Sequence, residues 1–351
     1  MKIAQIAPLA ESVPPKLYGG TERIVSYLTE ELVRQGHEVT LFASGDSKTA
    51  AELHAVVPNA LRLGPPIRDP SAYAALQLEA LRQRADEFDV IHCHTDCLHQ
   101  PLIRALGLRN VLTTTHGRLD LPEYSRIFEE FADAPLVSIS DQQRLPLPGC
   151  NWVGTVPHGL PPSVCRFNPA PRGDYLAFVG RFSVEKRPDR AIEIARRAGM
   201  TLRMAAKIDD ADRDYFEKHV EPLLSQSHVE YVGEICEREK WDFLGNARAL
   251  LFPIDWPEPF GLVLIEAMSC GTPCIAWRAG SIPEIIQEGA SGYIVDSLEA
   301  AADAARRAAQ MDRRGVRQQF ERRFTVERMT RDYLEIYRRI TVTRRSGRVA
   351  A

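Results

Sequence analysis

Two glutamates with seven residues between them, Glu258 and Glu266, stand in the stretch Trp256-Pro257-Glu258-Pro259-Phe260-Gly261-Leu262-Val263-Leu264-Ile265-Glu266-Ala267-Met268. Carboxylates at such a spacing suit the hydroxyls at the two ends of one ligand. Before them, Ala249-Leu250-Leu251-Phe252-Pro253 is a short apolar run that reads as a buried strand. Pro257 and Pro259 stiffen a turn around Glu258. From Gly261 the pattern is helical, and it stops at Gly271 with Pro273 just beyond. A helix that follows a strand in an α/β unit aims its free N–H groups at the carboxyl edge of the sheet, where phosphates bind. Eight helical residues would separate the two carboxylates by roughly 12 Å, about the reach from one ring across a diphosphate to another. The same pattern also fits an ordinary crossover helix with solvated glutamates.

Cations stand in a second loop. Gly180-Arg181-Phe182-Ser183-Val184-Glu185-Lys186-Arg187 follows an apolar run, and Arg181 and Lys186 suit the charge growing on a departing diphosphate. Alone, the segment also reads as a solvated loop. Gly19-Gly20 follows the first predicted strand and opens a helix, which lets backbone N–H groups approach a phosphate. It is neither GxGxxG nor a Walker A sequence.

Other candidates carry less. His92-Cys93-His94-Thr95-Asp96 would place His92 and His94 on one strand face, but zinc sites draw on distant ligands too, so no metal is expected. Contact of His94 or Asp96 with an acceptor is the functional alternative. His158 reads as a core histidine. Asp210-Ala211-Asp212 spells a metal-binding DxD, but helix capping accounts for it. Cys270 and Cys274 read as small packed residues.

The elements that must position these residues alternate. In the first part, strands are expected at Lys2–Ala7, 39–43, 90–93, 111–114, 136–139 and 155–156, with helices at 22–35 and 73–84. Prolines 157, 161, 162, 169 and 171 then break the pattern. A second series follows, with strands at 175–180, 202–206, 229–232, 249–253 and 273–276. Its helices are expected at 188–198, 212–224, 240–246 and 261–269. Residues 298–337 read as helical and 344–351 as a frayed tail. This predicts two doubly wound, Rossmann-like α/β domains with a cleft between them: 1–165, 166–325, and a segment 326–351 whose helix returns to the first domain.

Composition narrows the class. The 351 residues carry a formal net charge of −3, which argues against a general nucleic-acid binder. Arginine pairs in the last third are interleaved with acids and read as a solvated helix face, with a weak contact to an anionic membrane surface as the alternative. No secretory signal pattern or ~20-residue apolar span is visible. Seven cysteines without a CxxC suggest reduced thiols and a cytoplasmic protein.

Together the motifs resemble family 4 of the retaining nucleotide-sugar glycosyltransferases, which have the GT-B fold. The resemblance runs through Tyr18-Gly19-Gly20-Thr21-Glu22, Thr115-His116-Gly117, Ser138-Ile139-Ser140, Pro157-His158-Gly159, Gly180-Arg181 to Glu185-Lys186, and Glu258-Pro259-Phe260-Gly261-Leu262 to Glu266-Ala267. The chain departs from the family at Ala205-Ala206-Lys207, where a glycine-rich turn is usual and where Lys207 offers a phosphate or base contact. The resemblance implies that Gly19 and Gly20 lie against the donor diphosphate and that Arg181 and Lys186 stabilise the leaving group. It implies that Glu258, with Phe260, Gly261 and Leu262, holds the sugar and its phosphate. Glu266 would bind the ribose, and His116 would sit over the reaction centre. The implied activity is metal-independent, cofactor-free, retaining transfer of a hexosyl group from a UDP- or GDP-sugar to a sugar, lipid-linked or small-molecule acceptor hydroxyl. A phosphorylase, an epimerase or hydrolase, and a non-catalytic nucleotide-sugar binder are the alternatives.

Overall fold

The computed structural model describes residues 1–349, apart from Tyr18, Leu63, Pro65, Pro66 and Cys165, with the backbone alone for 342–349. Tyr18 of the Gly-Gly motif and the last two residues of the expected tail lie outside the described residues. The chain divides into two compact units, Met1–Gly159 with Val326 onward, and Leu160–Thr325.

In the first unit, β1 (Lys2–Ile6), β2 (Glu38–Ala43), β3 (Glu52–Ala55), β4 (Val90–Cys93), β5 (Val111–Thr114), β6 (Leu136–Ser138) and β7 (Trp152–Thr155) alternate with α1 (Gly20–Arg34), α2 (Ser71–Arg84), α3 (Gln100–Leu106) and α4 (Pro122–Glu130). All seven strands are parallel, in the order β3-β2-β1-β4-β5-β6-β7. The central strands are buried along their length, as a parallel sheet covered on both faces requires. α1 faces inward through Ile24, Leu28 and Leu32, one helical stripe with no exposed surface.

The second unit has β8 (Tyr175–Arg181), β9 (Thr201–Lys207), β10 (Val229–Gly233), β11 (Ala249–Phe252), β12 (Cys274–Trp277) and β13 (Gly292–Val295), in the order β10-β9-β8-β11-β12-β13. Its helices are α5 (Pro188–Ala198), α6 (Arg213–Tyr215), α7 (Glu237–Asn246), α8 (Leu262–Ser269), α9 (Ile282–Ile285), α10 (Leu298–Ala308) and α11 (Arg313–Arg323). α5 starts at Pro188 and ends at left-handed Gly199, the expected proline-in, glycine-out pattern. Buried alanines on α10 let it lie close against α5. α12 (Val326–Val349) belongs to the first unit, where it packs on α1 and buries Tyr333 and Tyr337.

Several elements differ from the sequence-based expectation. β3, β13, α3 and α4 were not expected, because elements of four to nine residues are too short for a periodic signal to stand out. The helix expected at 212–224 is a chain of short turns, α6, a π-turn at Phe216–Val220 and a 3₁₀ turn at Glu221–Leu223 that holds Pro222. The segment expected to fray continues as helix to Val349. Arg313 does not belong to a solvated face. It is buried, and its guanidinium donates to the carbonyls of Asn168, Gly245 and Ala247 and to Thr272 Oγ1 at 2.7–2.9 Å.

In each sheet the chain reverses its direction of winding once, at β1/β4 and at β8/β11. The loops leaving the carboxyl ends of strands at such a switch point are where ligands bind in doubly wound folds.

Candidate active site

In the second unit, the loops after β8 and β11 are tied together. Asp255 N–H donates to the Glu185 carbonyl at 2.8 Å, and Arg187 Nη1 donates to Asp255 Oδ2 at 2.8 Å. Arg187 sits in the left-handed region at φ 52, an unusual conformation for a side-chain-bearing residue, and it leads directly into α5. This juncture brings Lys186 Nζ onto Glu258 Oε2. Trp256 Nε1 donates to the same oxygen at 2.9 Å. The ammonium also lies 5.0 Å from the Trp256 ring centroid and 5.4 Å from that of Phe252. The Lys186 and Glu258 side chains are only 14% and 12% exposed, so water screens the pair weakly.

The Glu258 backbone is fixed from a third loop. Ser281 N–H donates to the Glu258 carbonyl at 3.0 Å, and Ser281 Oγ donates to the Phe260 carbonyl at 3.0 Å. Gly280 has φ +51, and a Cβ there would stand 2.4 Å from both Glu258 N and Glu258 O. Gly261 is left-handed at φ 79 and leads into α8, whose N-terminus no side chain among the described residues caps. Those N–H groups form an anion-favouring end. Phe260 is buried with its ring edge-on to Phe324, and Leu262 opens the helix, half-buried.

Glu258 lies outside α8, so helical rise does not set its distance from Glu266. Glu266 is buried inside α8 and pairs with Lys240 of α7. Arg181 is engaged by three carboxylates: Glu185 at 2.6 Å, Asp212 at 3.3 Å and Asp209 at 3.4 Å. Lys207 pairs with Asp209 at 2.5 Å. The Asp210–Asp212 pair therefore does not cap a helix: neither turn there has a side-chain cap, Asp212 meets Arg181, and Asp210 meets Arg213 at 3.0 Å. Among the described residues, no group of three or more His, Cys, Asp and Glu side chains could hold a metal ion.

In the first unit, Gly19 precedes α1, whose N-terminus no side chain among the described residues caps. A Cβ on Gly19 would meet Pro15 Cβ at 2.8 Å and Glu11 Cγ at 3.2 Å, so the loop is packed against Glu11. Glu11 is buried and pairs with Arg62. Burial, and next the Glu11 charge, raise the pKa of Glu22 in the first turn of α1. Gly20 is the first residue of that helix.

His116 follows β5 and joins a set of histidines. Its Nε2 lies 2.8 Å from His94 Nδ1, and its ring stacks on His158 at 5.3 Å and 16°. His94 Nε2 lies 2.7 Å from Gln5 Oε1. His92 bridges Tyr337 Oη and Thr114 Oγ1, at 2.7 Å each. Burial pushes His116 down to about 3 and holds His92, His94 and His158 well below the usual imidazole range. Asp96 is left-handed at φ 48, and burial raises its carboxyl against a hydrogen bond from the His116 backbone.

The expected residues thus fall in two sets: Gly19, Gly20 and His116 in the first unit, and Arg181, Lys186, Glu258, Phe260, Gly261, Leu262 and Glu266 in the second. Sequence reasoning missed Trp256, Lys240, Gly280, Ser281 and Gln5. A glutamine amid Ile3, Ala4 and Ile6 on a buried strand was a readable signal. The partner of Glu266, 26 residues upstream, was not.

Residues 166–323 match the family described as Glycosyl transferases group 1, and residues 18–141 match Glycosyltransferase Family 4. An uncharacterized 41.2 kDa protein in the cps region of Klebsiella pneumoniae is 33% identical over 125 residues, which cover 36% of this chain. The chain spans only 33% of that protein's length. A GDP-mannose-dependent alpha-(1-6)-phosphatidylinositol dimannoside mannosyltransferase of Mycobacterium tuberculosis is 26% identical, over 94% of this chain and 95% of that protein. The crystal structure of AviGT4, a glycosyltransferase involved in avilamycin A biosynthesis, superposes with a TM-score of 0.76 at 25% identity, covering 97% of this chain and 98% of that one. With a family 4 match in its first unit and a group 1 match in its second, on two parallel doubly wound sheets, the chain belongs to the glycosyltransferases of the GT-B fold.

Proposed function

We propose that the protein transfers a hexosyl group from a UDP- or GDP-sugar to an acceptor hydroxyl, with retention and without a divalent metal. The observation that carries this reading is the Lys186–Glu258 pair, held by Trp256 beside the uncapped start of α8. One carboxylate oxygen is saturated by two donors, which leaves the other to accept from a sugar hydroxyl. The ammonium and the α8 N–H groups meet the charge that grows on the leaving diphosphate. Arg181 joins them by exchanging carboxylate partners for phosphate oxygens. Gly19 and Gly20 are assigned to the diphosphate, Phe260, Gly261 and Leu262 to the sugar phosphate, Glu266 to the ribose and His116 to the sugar.

In the transfer, the bond from the anomeric carbon to the diphosphate oxygen breaks and the bond to the acceptor oxygen forms on the same face. The acceptor proton passes to a leaving phosphate oxygen. No side chain forms a covalent intermediate, so catalysis consists of positioning and electrostatic stabilisation. The GDP-mannose dependence named for one relative makes that donor the first to test. Nucleoside diphosphate release from UDP-, GDP- and ADP-hexoses, measured in the presence of chelator, should single out one donor. Lys186→Ala should lower its turnover about a hundredfold or more. A protein that neither binds nor turns over any of these donors is not this enzyme.

A further inference from the structure

A line of buried hydrogen bonds runs from α12 to His116. Gln5, on β1, has no exposed surface, and neither does Tyr337. Gln5 Nε2 donates to Tyr337 Oη at 3.2 Å, while Gln5 Oε1 faces His94 Nε2 at 2.7 Å. An amide oxygen can only accept, so His94 Nε2 carries a hydrogen. A neutral imidazole has one N–H, so His94 Nδ1 is bare and accepts from His116 Nε2 at 2.8 Å. The proton of His116 is then on Nε2, and its Nδ1 is a lone pair.

A separate observation agrees. His116 Nδ1 is buried and has no hydrogen-bond partner among the described residues. Turning the Gln5 amide over would reverse every donor in the line and leave an N–H orphaned at that nitrogen. A buried N–H without an acceptor is the rarer orphan.

We propose that Gln5 and His94 are positioning residues that hold His116 neutral in its Nε2–H form, with Tyr337 fixing the Gln5 amide. The assignment rests on His116 lying at the transfer centre. It has a chemical reason there. The sugar gains positive charge at its anomeric carbon in the transition state, and an imidazolium nearby would oppose that charge. A ring whose hydrogen is committed to His94 supplies no proton to the acceptor or the leaving group. The only proton that moves is that of the acceptor hydroxyl.

The test is the nitrogen spectrum of ¹⁵N-histidine-labelled protein, with His116 assigned by comparison with His116→Asn. In the wild type, Nδ1 should resonate as a pyridine-type nitrogen and Nε2 as a pyrrole-type one. Gln5→Leu removes the acceptor that orients His94, so His116 Nδ1 should gain pyrrole character. Turnover should fall about tenfold with the donor KM unchanged, the lower end of the loss that follows when the hydrogen-bond partner orienting a metal-bound histidine is removed. Tyr333→Phe removes an equally buried hydroxyl from the Thr114 branch and should leave the His116 spectrum as it is. A protonated Nδ1 in the wild type overturns the proposal, as does a Gln5→Leu spectrum identical to it. If Gln5→Leu does not fold, the wild-type spectrum decides. The spectra need no substrate, so a failed donor screen cannot be mistaken for failure of this assignment.

Discussion

Glu258 Oε2 receives both the Lys186 ammonium and the Trp256 indole N–H. Trp256→Phe separates the two supports, because it keeps a ring beneath the ammonium and deletes the N–H. A hydrogen bond to a charged group contributes about 1.5–3 kcal/mol, so turnover should fall by about 10- to 100-fold while the fold is retained. Initial rates at saturating donor check this, and an unchanged rate would show the indole N–H to be idle. Lys240 and Glu266 pose a different question. Their side chains are 13% and 4% exposed, so Lys240→Met leaves a buried carboxylate without its cation. That should destabilise the protein by about 3–5 kcal/mol, while Lys240→Met with Glu266→Leu should recover most of the loss. Denaturant titration of the single and double variants checks it, and equal losses in both would mean that the charge is not the cause. The two glutamates were legible in the sequence as a pair with distinct surroundings. Their pairing with Lys186 and Lys240 was not, because these lysines come from distant segments and only folding makes them neighbours.

At the scale of elements, the turn carrying Glu258 depends on Gly280. Gly280→Ala places a methyl group against the Glu258 backbone in a left-handed residue, and neither side can yield without moving the loop. Loss of most activity is expected, together with destabilisation. Gly36→Ala is the control. It has φ +83 and open space around its Cβ position, so only the conformational cost of about 1 kcal/mol applies and activity should be kept. Melting curves and rates on both variants distinguish the cases, and a fully active Gly280→Ala would remove the turn from the site. The strands and helices that bear the site residues were readable because each is a buried apolar run or a clear helical stripe: β1, β4, β5, β8, β11, α1, α5 and α8. β3 and β13 were not, being four residues each, β3 of mixed polarity and β13 opening on a glycine that reads as a turn. The 212–224 stretch had helical periodicity, yet Pro222 and local turn preferences break it into pieces.

At the scale of the whole molecule, the first unit keeps five buried or enclosed histidines, His92, His94, His99, His116 and His158, all with depressed pKa values. The unfolded chain takes up protons at these residues below pH about 6.5, while the folded chain does not until far lower, about 4 for His99 and about 3 for His116. The unfolded state therefore binds more protons in that window. Stability present above the unfolded value is lost as the pH falls through the window, by up to about 1.4 kcal/mol per pH unit for each group. Thermal melts between pH 7.5 and 4.5 should show a steep drop in Tm, and a flat profile would show that these rings are already charged in the folded protein. Among the described residues no helix is long and apolar enough to cross a membrane. The sequence by itself determined the two α/β series, the loops after each key strand and the residue types that favour a diphosphate, because these are local consequences of periodicity, glycine and proline. Only the tertiary structure decided which charges meet: Lys186 with Glu258, Lys240 with Glu266, Arg181 with three acids, and Gln5 with His94 and Tyr337. Apart from the local Arg181–Glu185 pair, these join distant residues, up to 332 positions apart, and no local pattern encodes them, since they depend on which strands become neighbours in the sheet.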